Sequence, residues 1–271
     1  MPSYVITGAS RGLGWEFLRQ LSSDSNNIVI GMVRNKHATD TRVSEELQAR
    51  SNIHILQADI SDYGAMQNAA EETAHITGGG LDYLIANAGM VAGFDAFDPI
   101  GILGKQPEAL EHNLMQAFKI NVVSNIHLFN LFTPLILKGE AKKVIAISSG
   151  HADLNITAKF NIDVSAVYAI TKASLNIAVA KFSAQYAKDG VLFMSICPGV
   201  VDTGRYASAT EEQLKAVSRM TKSFKEYAPH FKGPASPESS VRDVLSVINN
   251  SSVENGDGGS FVSHKGNQQW L

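Results

Sequence analysis

Tyr168 and Lys172 stand four residues apart in the run YAITK, and residues four apart on a helix share a face. A free phenol, with a pKa near 10, is too weak an acid to cycle protons at neutral pH, but an ammonium beside it favours the phenolate. Such a pair is suited to giving a proton to a reacting oxygen or taking one from it. Ser149 follows an apolar run in ISSG, where its hydroxyl could hydrogen-bond and polarise the same oxygen; Ser148 is the alternative. A second group of residues points to an anion. Thr7, Gly8, Ala9, Ser10, Arg11, Gly12, Leu13 and Gly14 follow a short β-branched run and lead into an amphipathic stretch. Gly8 permits a tight turn, and Gly12 lets backbone N–H groups approach a pyrophosphate. Gly14 lets the helix lie close on the sheet, with its positive end toward the phosphates.

These residues need elements to hold them. Short apolar runs at Tyr4–Thr7, Ile28–Val33, Ile53–Gln57, Leu81–Ala86, Lys143–Ser148 and Val191–Cys197 read as strands, with Ser260–Val262 a seventh candidate. They alternate with helical spacing at Leu13–Leu21, Thr41–Ala49, Tyr63–Ile76, Glu108–Leu137, Tyr168–Ala187 and Pro237–Ile248. The alternation predicts an α/β fold: a doubly wound parallel sheet of about seven strands with helices on both faces. No linker or repeat divides residues 1–271, so the chain reads as a single domain. Residues 200–234, polar but interleaved with aromatic side chains, are read as a segment covering the substrate.

With 44% hydrophobic and 18% charged residues and a net charge of −3, the chain has no basic field to attract nucleic acid or an anionic membrane. No apolar run reaches membrane-spanning length. The opening MPSYVITGAS starts a strand at once, which speaks against a secretory signal. The lone Cys197 lies in an apolar run and reads as a buried thiol. A cytoplasmic protein is expected, and no metal site is assigned.

The glycine turn resembles the TGxxxGxG motif of the short-chain dehydrogenase/reductase family, and further motifs follow in that family's order. Asn87, Ala88 and Gly89 match its NAG turn, and Asn121, in KINVVS, is similar to its structural and catalytic asparagine. YAITK matches YxxxK, and Pro198 to Thr203, PGVVDT, matches PGxVxT. The resemblance implies a Rossmann-type fold and hydride transfer between a nicotinamide and a carbonyl or hydroxyl carbon. It implies Tyr168 as general acid/base, Lys172 as the cation that lowers its pKa and holds the nicotinamide ribose, and Ser149 as the donor that orients the carbonyl. Asn121 would fix a water near Lys172. Gly8, Ser10, Arg11, Gly12, Leu13 and Gly14 would hold the pyrophosphate and Asp59 with Ile60 the adenine. Asn87, Ala88, Gly89, Tyr168, Lys172, Pro198, Val201 and Thr203 would complete the cofactor site. Asp59 could equally cap the helix beginning near Ser61 or Asp62.

Enzymes that use NAD usually end the second strand on a carboxylate that binds the ribose hydroxyls, whereas a 2′-phosphate needs positive charge. Here that strand ends Val33, Arg34, Asn35, and Arg11 stands in the glycine turn. Two guanidinium groups could converge on the phosphate, so NADP(H) is the expected cofactor.

Eighteen residues, 150–167, separate Ser149 from Tyr168, a longer connection than compact family members have, and it reads as a loop of the carbonyl-reductase-like kind. His151 within it reads as solvent-facing. Met90–Phe97, Ile156–Phe160 and residues 200–234 supply apolar, aromatic walls suited to a small hydrophobic ketone, aldehyde or secondary alcohol. Phe94, Phe160, Met220 and Phe224 are either substrate contacts or core. Two other functions use the same cleft: a non-catalytic NADP(H) sensor or scaffold, and an isomerase or cyclase without net redox change. Ile120, Val122, Val123, Ile126, Leu128, Phe129 and Phe132 give the Glu108–Leu137 helix a surplus of apolar surface, and a homodimer or homotetramer is expected.

Overall fold

In a computed structural model, which describes every residue except 49 and 203–210, seven parallel strands form one sheet in the order β3-β2-β1-β4-β5-β6-β7. They are β1 (Ser3–Thr7), β2 (Ile28–Val33), β3 (Ile53–Gln57), β4 (Tyr83–Ala86), β5 (Lys143–Ile147), β6 (Leu192–Cys197) and β7 (Phe261–Ser263). The order reverses between β1 and β4, so the connections leaving these two strands diverge and open a crevice at their carboxyl ends. Among the described residues no helix is long and apolar enough to cross a membrane.

The five inner strands, β1, β2, β4, β5 and β6, are buried on both faces because alternate residues serve two cores. Val5, Leu84, Val144 and Phe193 point to one side, against α3 (Tyr63–Thr77), α6 (Ser124–Ile136) and α8 (Ala166–Tyr186). Tyr4, Ile6, Ile85, Ile145 and Met194 point to the other, against α1 (Gly12–Leu21) and α10 (Pro237–Asn250). Phe129 of α6 meets Phe182 and Phe193 edge to face, at 5.3 and 5.8 Å between ring centres. A third, smaller core lies beyond the carboxyl ends of β6 and β7, built from Ile156, Ile162, Cys197, Phe224 and Trp270.

Three sequence expectations need correction. The second helix, α2, runs Lys36–Glu46 rather than Thr41–Ala49, because the Asn35 side chain accepts the Ala38 N–H at 3.0 Å and caps it earlier. Between α4 (Ile100–Leu103) and α6, the long helix is interrupted: α5 (Pro107–Phe118) passes through a π-helical turn, Lys119–Val123, into α6. Ser124 Oγ and Asn125 Nδ2 donate to the carbonyls of Lys119 and Asn121, at 3.0 and 2.9 Å, which satisfies oxygens the wider turn displaces. The connection 150–167 is partly helical, with a 3₁₀ turn at Gly150–Ala152 and α7 (Leu154–Lys159), which Asp153 caps through the N–H groups of Asn155 and Ile156. Residues 200–234 likewise contain α9 (Glu211–Tyr227).

Candidate active site

The glycine turn leaves β1 through Gly8, at φ +69°, and enters α1 at Gly12. A side chain at Gly14 would run into the Gly8 carbonyl and the Asn87 amide, so the close approach of helix to strand requires glycine there. The NAG turn is strapped to the same point. The Thr7 hydroxyl accepts the N–H groups of Asn87 and Ala88 at 3.0 and 2.9 Å, and Asn87 Nδ2 donates to the Thr7 carbonyl at 3.0 Å. Whereas α2, α3 and α10 are capped by Asn35, Asp62 and Ser236, α1 has no side-chain cap and no acid in its first turn. Its leading N–H groups and dipole are thus left to an anionic ligand, which fits a dinucleotide pyrophosphate.

At the far side of the crevice Lys172 is buried, and its ammonium donates to the Ile147 carbonyl at 2.7 Å. It lies 5.7 Å from the centre of the Tyr168 ring, so the four-residue spacing does bring the two together. Burial pulls its pKa from 10.5 down to about 8, opposed in small part by Cys197. Asn121, fully buried in the π-helical turn, accepts the Met90 N–H through Oδ1 at 2.7 Å. Its Nδ2 donates to the Met90 carbonyl at 2.9 Å and to the Thr171 hydroxyl at 3.0 Å. Asn121 Oδ1 and Lys172 Nζ both face Gly89, where a Cβ would lie 3.2 and 3.5 Å from them. The two serines are separated by their partners: Ser148 Oγ donates to Asn176 Oδ1 at 2.7 Å, whereas half-buried Ser149 lines a pocket.

Residues 3–214 match the family described as short chain dehydrogenase. The chain belongs to the short-chain dehydrogenase/reductase family. It is 63% identical over 271 residues to the short chain dehydrogenase virK of Hypocrea virens, covering all of both chains. It is 49% identical over 272 residues to the short-chain dehydrogenase/reductase iacC of Pestalotiopsis fici, again end to end. An NADPH-bound carbonyl reductase from chicken fatty liver shares the fold with a TM-score of 0.77 at 22% identity, over 98% of each chain.

In this short-chain dehydrogenase/reductase the pocket beside Ser149 is walled by His151, Ile156, Ile162, Val200, Phe224 and Trp270. Met220 and Phe160 pack against the same apolar cluster, with Phe160 edge to face on Tyr227 at 5.2 Å. Phe94 is half-buried in the connection after β4. His151 is not solvent-facing: it is half-buried, with its ring 6.1 Å from that of Phe224.

On the cofactor side, Ser10, Arg11 and Arg34 are exposed, while Leu13 packs partly under the turn. Asp59 does not cap α3; Asp62 does, through the Ala65 N–H at 3.0 Å. The Ser61 N–H and hydroxyl, with Arg34 and Lys119 nearby and against partial burial, hold the Asp59 carboxyl below the usual range. Ile60 beside it is buried. The Pro198 carbonyl accepts the Ser240 hydroxyl at 2.7 Å, Val201 bridges to Ala235, and Thr203 lies outside the described residues.

Three residues escaped sequence reasoning. Arg42 lies 3.9 Å over the Trp15 ring and donates to the Ser10 carbonyl at 3.1 Å, bracing the glycine turn from α2. Trp270 stacks on Phe261 at 4.3 Å and donates through its indole to Asp153 at 2.9 Å, so it ties the pocket floor to α7. The third is Asp95. A lone tryptophan in the polar stretch GNQQWL was the only local signal for Trp270.

Proposed function

We propose that the chain reduces a small hydrophobic ketone or aldehyde with NADPH, or runs the reverse oxidation, with Tyr168 as the acid/base. The observation that carries this reading is the Tyr168 ring placed 5.7 Å from a buried Lys172 ammonium, with an apolar pocket beside Ser149. When bound, the nicotinamide supplies the hydride. Tyr168 gives the proton to the carbonyl oxygen, and the Lys172 charge favours the phenolate left behind. Ser149 donates a hydrogen bond to the same oxygen and fixes its direction. The buried walls Ile156, Ile162 and Phe224 exclude water from the reacting carbon. Lys172 would also hold the nicotinamide ribose, while Asn121 fixes the Met90 backbone through both ends of its side-chain amide. Pro198, Val201 and Thr203 bind the carboxamide end. Residues 200–234 cover the substrate, consistent with Phe224 of α9 at the pocket wall.

Arg11 and Arg34 select NADP(H) by pairing with the 2′-phosphate, as expected from a structural relative that is NADPH-bound. Replacing both with alanine should raise the Michaelis constant for NADPH ~100-fold or more, since one charge-assisted contact contributes roughly 1.5–3 kcal/mol. The constant for NADH should move less than about threefold. Equal losses for the two cofactors would end the phosphate assignment.

The same proposal takes the chain as a cytoplasmic homodimer or homotetramer. The sheet core absorbs Leu128, Phe129 and Phe132, and Val122 is buried as well, which corrects the expected surplus; apolar side chains left exposed on this side include Met115, Phe118 and Val123, with Ile170 and Ile177 on α8. Light scattering should give a mass of two or four chains, and a monomer at micromolar concentration contradicts this.

The function is tested with purified protein, NADPH and a panel of aryl and alkyl ketones and aldehydes, followed at the nicotinamide absorbance with product analysis. Consumption matched by alcohol supports the reading. Tight cofactor binding with no turnover supports a sensor instead, and product without net consumption supports an isomerase or cyclase.

A further inference from the structure

The Asp95 carboxylate, in the connection between β4 and α4, is fully buried. Its Oδ2 accepts the N–H of Tyr168 at 3.0 Å, across 73 residues of sequence. Its backbone carbonyl accepts the N–H of Ser165 at 2.8 Å. Helix α8 therefore begins in an unusual way. Ser165 occupies the cap position in the left-handed region, at φ +58°, and its side chain makes no capping bond. A carboxylate from another segment takes that place, on the third amide of the helix, which is the backbone of Tyr168 itself.

Burying a carboxylate opposes folding unless its oxygens are satisfied, and among the described residues Asp95 Oδ1 has no hydrogen-bond partner. A local serine cap would serve the helix without this penalty. What Asp95 adds is a fixed distance between two elements. A closed circuit of bonds shows which ones. The Thr171 hydroxyl donates to the Tyr168 carbonyl at 2.9 Å and accepts from Asn121 Nδ2 at 3.0 Å. Asn121 in turn binds both backbone groups of Met90, at 2.7 and 2.9 Å. Met90 and Asp95 lie in one short connection, so residues 90–95 grip the first turn of α8 at both its N–H and its C=O side.

We infer that Asp95 is the positioning residue for Tyr168, setting where the phenol stands by fixing the first turn of α8 to the connection after β4. It acts through the helix backbone and not on the reacting atoms. The inference rests on the reading of Tyr168 as the proton donor, and it adds that the tyrosine and the connection at residues 90–95 move as one unit.

The test compares Asp95→Ala with Asp95→Asn, because asparagine keeps an acceptor oxygen at the same reach and gives up the charge. Asp95→Ala should lower kcat about 10- to 100-fold, the scale of a misplacement near 1 Å. The NADPH Kd, read from nicotinamide fluorescence, should stay within about twofold, because the glycine turn is held separately. Asp95→Asn should restore kcat to within about threefold of the parent. Backbone amide exchange in the ligand-free Asp95→Ala protein should rise across the first turn of α8 and residues 90–95 and stay unchanged in β1 and α1. Parent-like kcat in Asp95→Ala, or an Asp95→Asn loss equal to that of alanine, overturns the inference. If Asp95→Ala does not fold, Asp95→Glu, which displaces the acceptor by one methylene in a fully buried site, carries the same comparison. Absence of turnover in the parent protein overturns the reductase reading alone; the exchange comparison then decides the positioning role, and unchanged exchange in α8 overturns it.

Discussion

Tyr168→Phe should lower the rate of carbonyl reduction by roughly 10²- to 10⁴-fold, the usual contribution of a positioned general acid. The substitution removes the phenolic oxygen and keeps the ring, whose centre lies 5.7 Å from Lys172 Nζ, and it leaves intact the two bonds to the Tyr168 backbone, from Asp95 and Thr171. The glycine turn, Asn87 and Arg34 are untouched, so the NADPH Kd should stay within about threefold. Single-turnover reduction and a fluorescence titration separate the two quantities. A rate within tenfold of the parent would move the proton donor to another group, with half-buried His151 beside Ser149 the first to examine.

Lys172→Met should abolish most activity and at the same time raise the stability of the ligand-free protein near pH 7. Lowering an ammonium from 10.5 to about 8 means that its charged form opposes folding by at most about 3 kcal/mol. Methionine removes this charge, but it leaves the Ile147 carbonyl without its 2.7 Å donor, a loss of about 1 kcal/mol. The remainder, about 1–2 kcal/mol, corresponds to a melting temperature some 2–8 °C higher for a chain of this size. The sign follows from proton binding. Below pH 8 the folded and unfolded chains both carry the Lys172 proton, and the parent bears the whole penalty. Between about 8 and 10.5 the unfolded chain binds more protons than the folded one, so the parent gains stability as pH rises. The advantage of the methionine variant should therefore shrink from pH 7 toward pH 10. A variant that melts below the parent at every pH contradicts this account of the buried ammonium. Loss of activity together with gained stability is the expected behaviour of a residue kept for chemistry.

What was legible in the sequence was local. The strand, glycine turn and helix at Tyr4–Leu21 announce themselves because Gly8 takes a positive φ and Gly14 stands against the Gly8 carbonyl and the Asn87 amide, where a side chain has no room. Tyr168 and Lys172 share a face because helical periodicity puts them there. The seven apolar runs gave the sheet, with strand ends moved by one or two residues at β1, β4, β5, β6 and β7. The features that escaped depend on distant partners. Asp95 and Tyr168 are 73 residues apart, and Trp270 and Asp153 are 117 apart; neither pair leaves a periodicity. The π-helical turn at Asn121 lies inside a run that looks continuous, since one extra residue in a turn changes geometry without changing composition. His151 was misplaced for a related reason: the connection that carries it is folded by Asp153 and Trp270 into the pocket wall.

The central claim is hydride transfer from NADPH to a carbonyl carbon, with Tyr168 supplying the proton. Its most direct test is a reaction of the purified protein with NADPH deuterated at the transferable position and a hydrophobic aryl ketone, followed by mass spectrometry of the product. One deuterium on the carbinol carbon of the alcohol, formed by the parent and lost by about 10²-fold or more in Tyr168→Phe, is the predicted result. Alcohol that carries no deuterium, or NADPH that binds tightly and is never consumed, would contradict it.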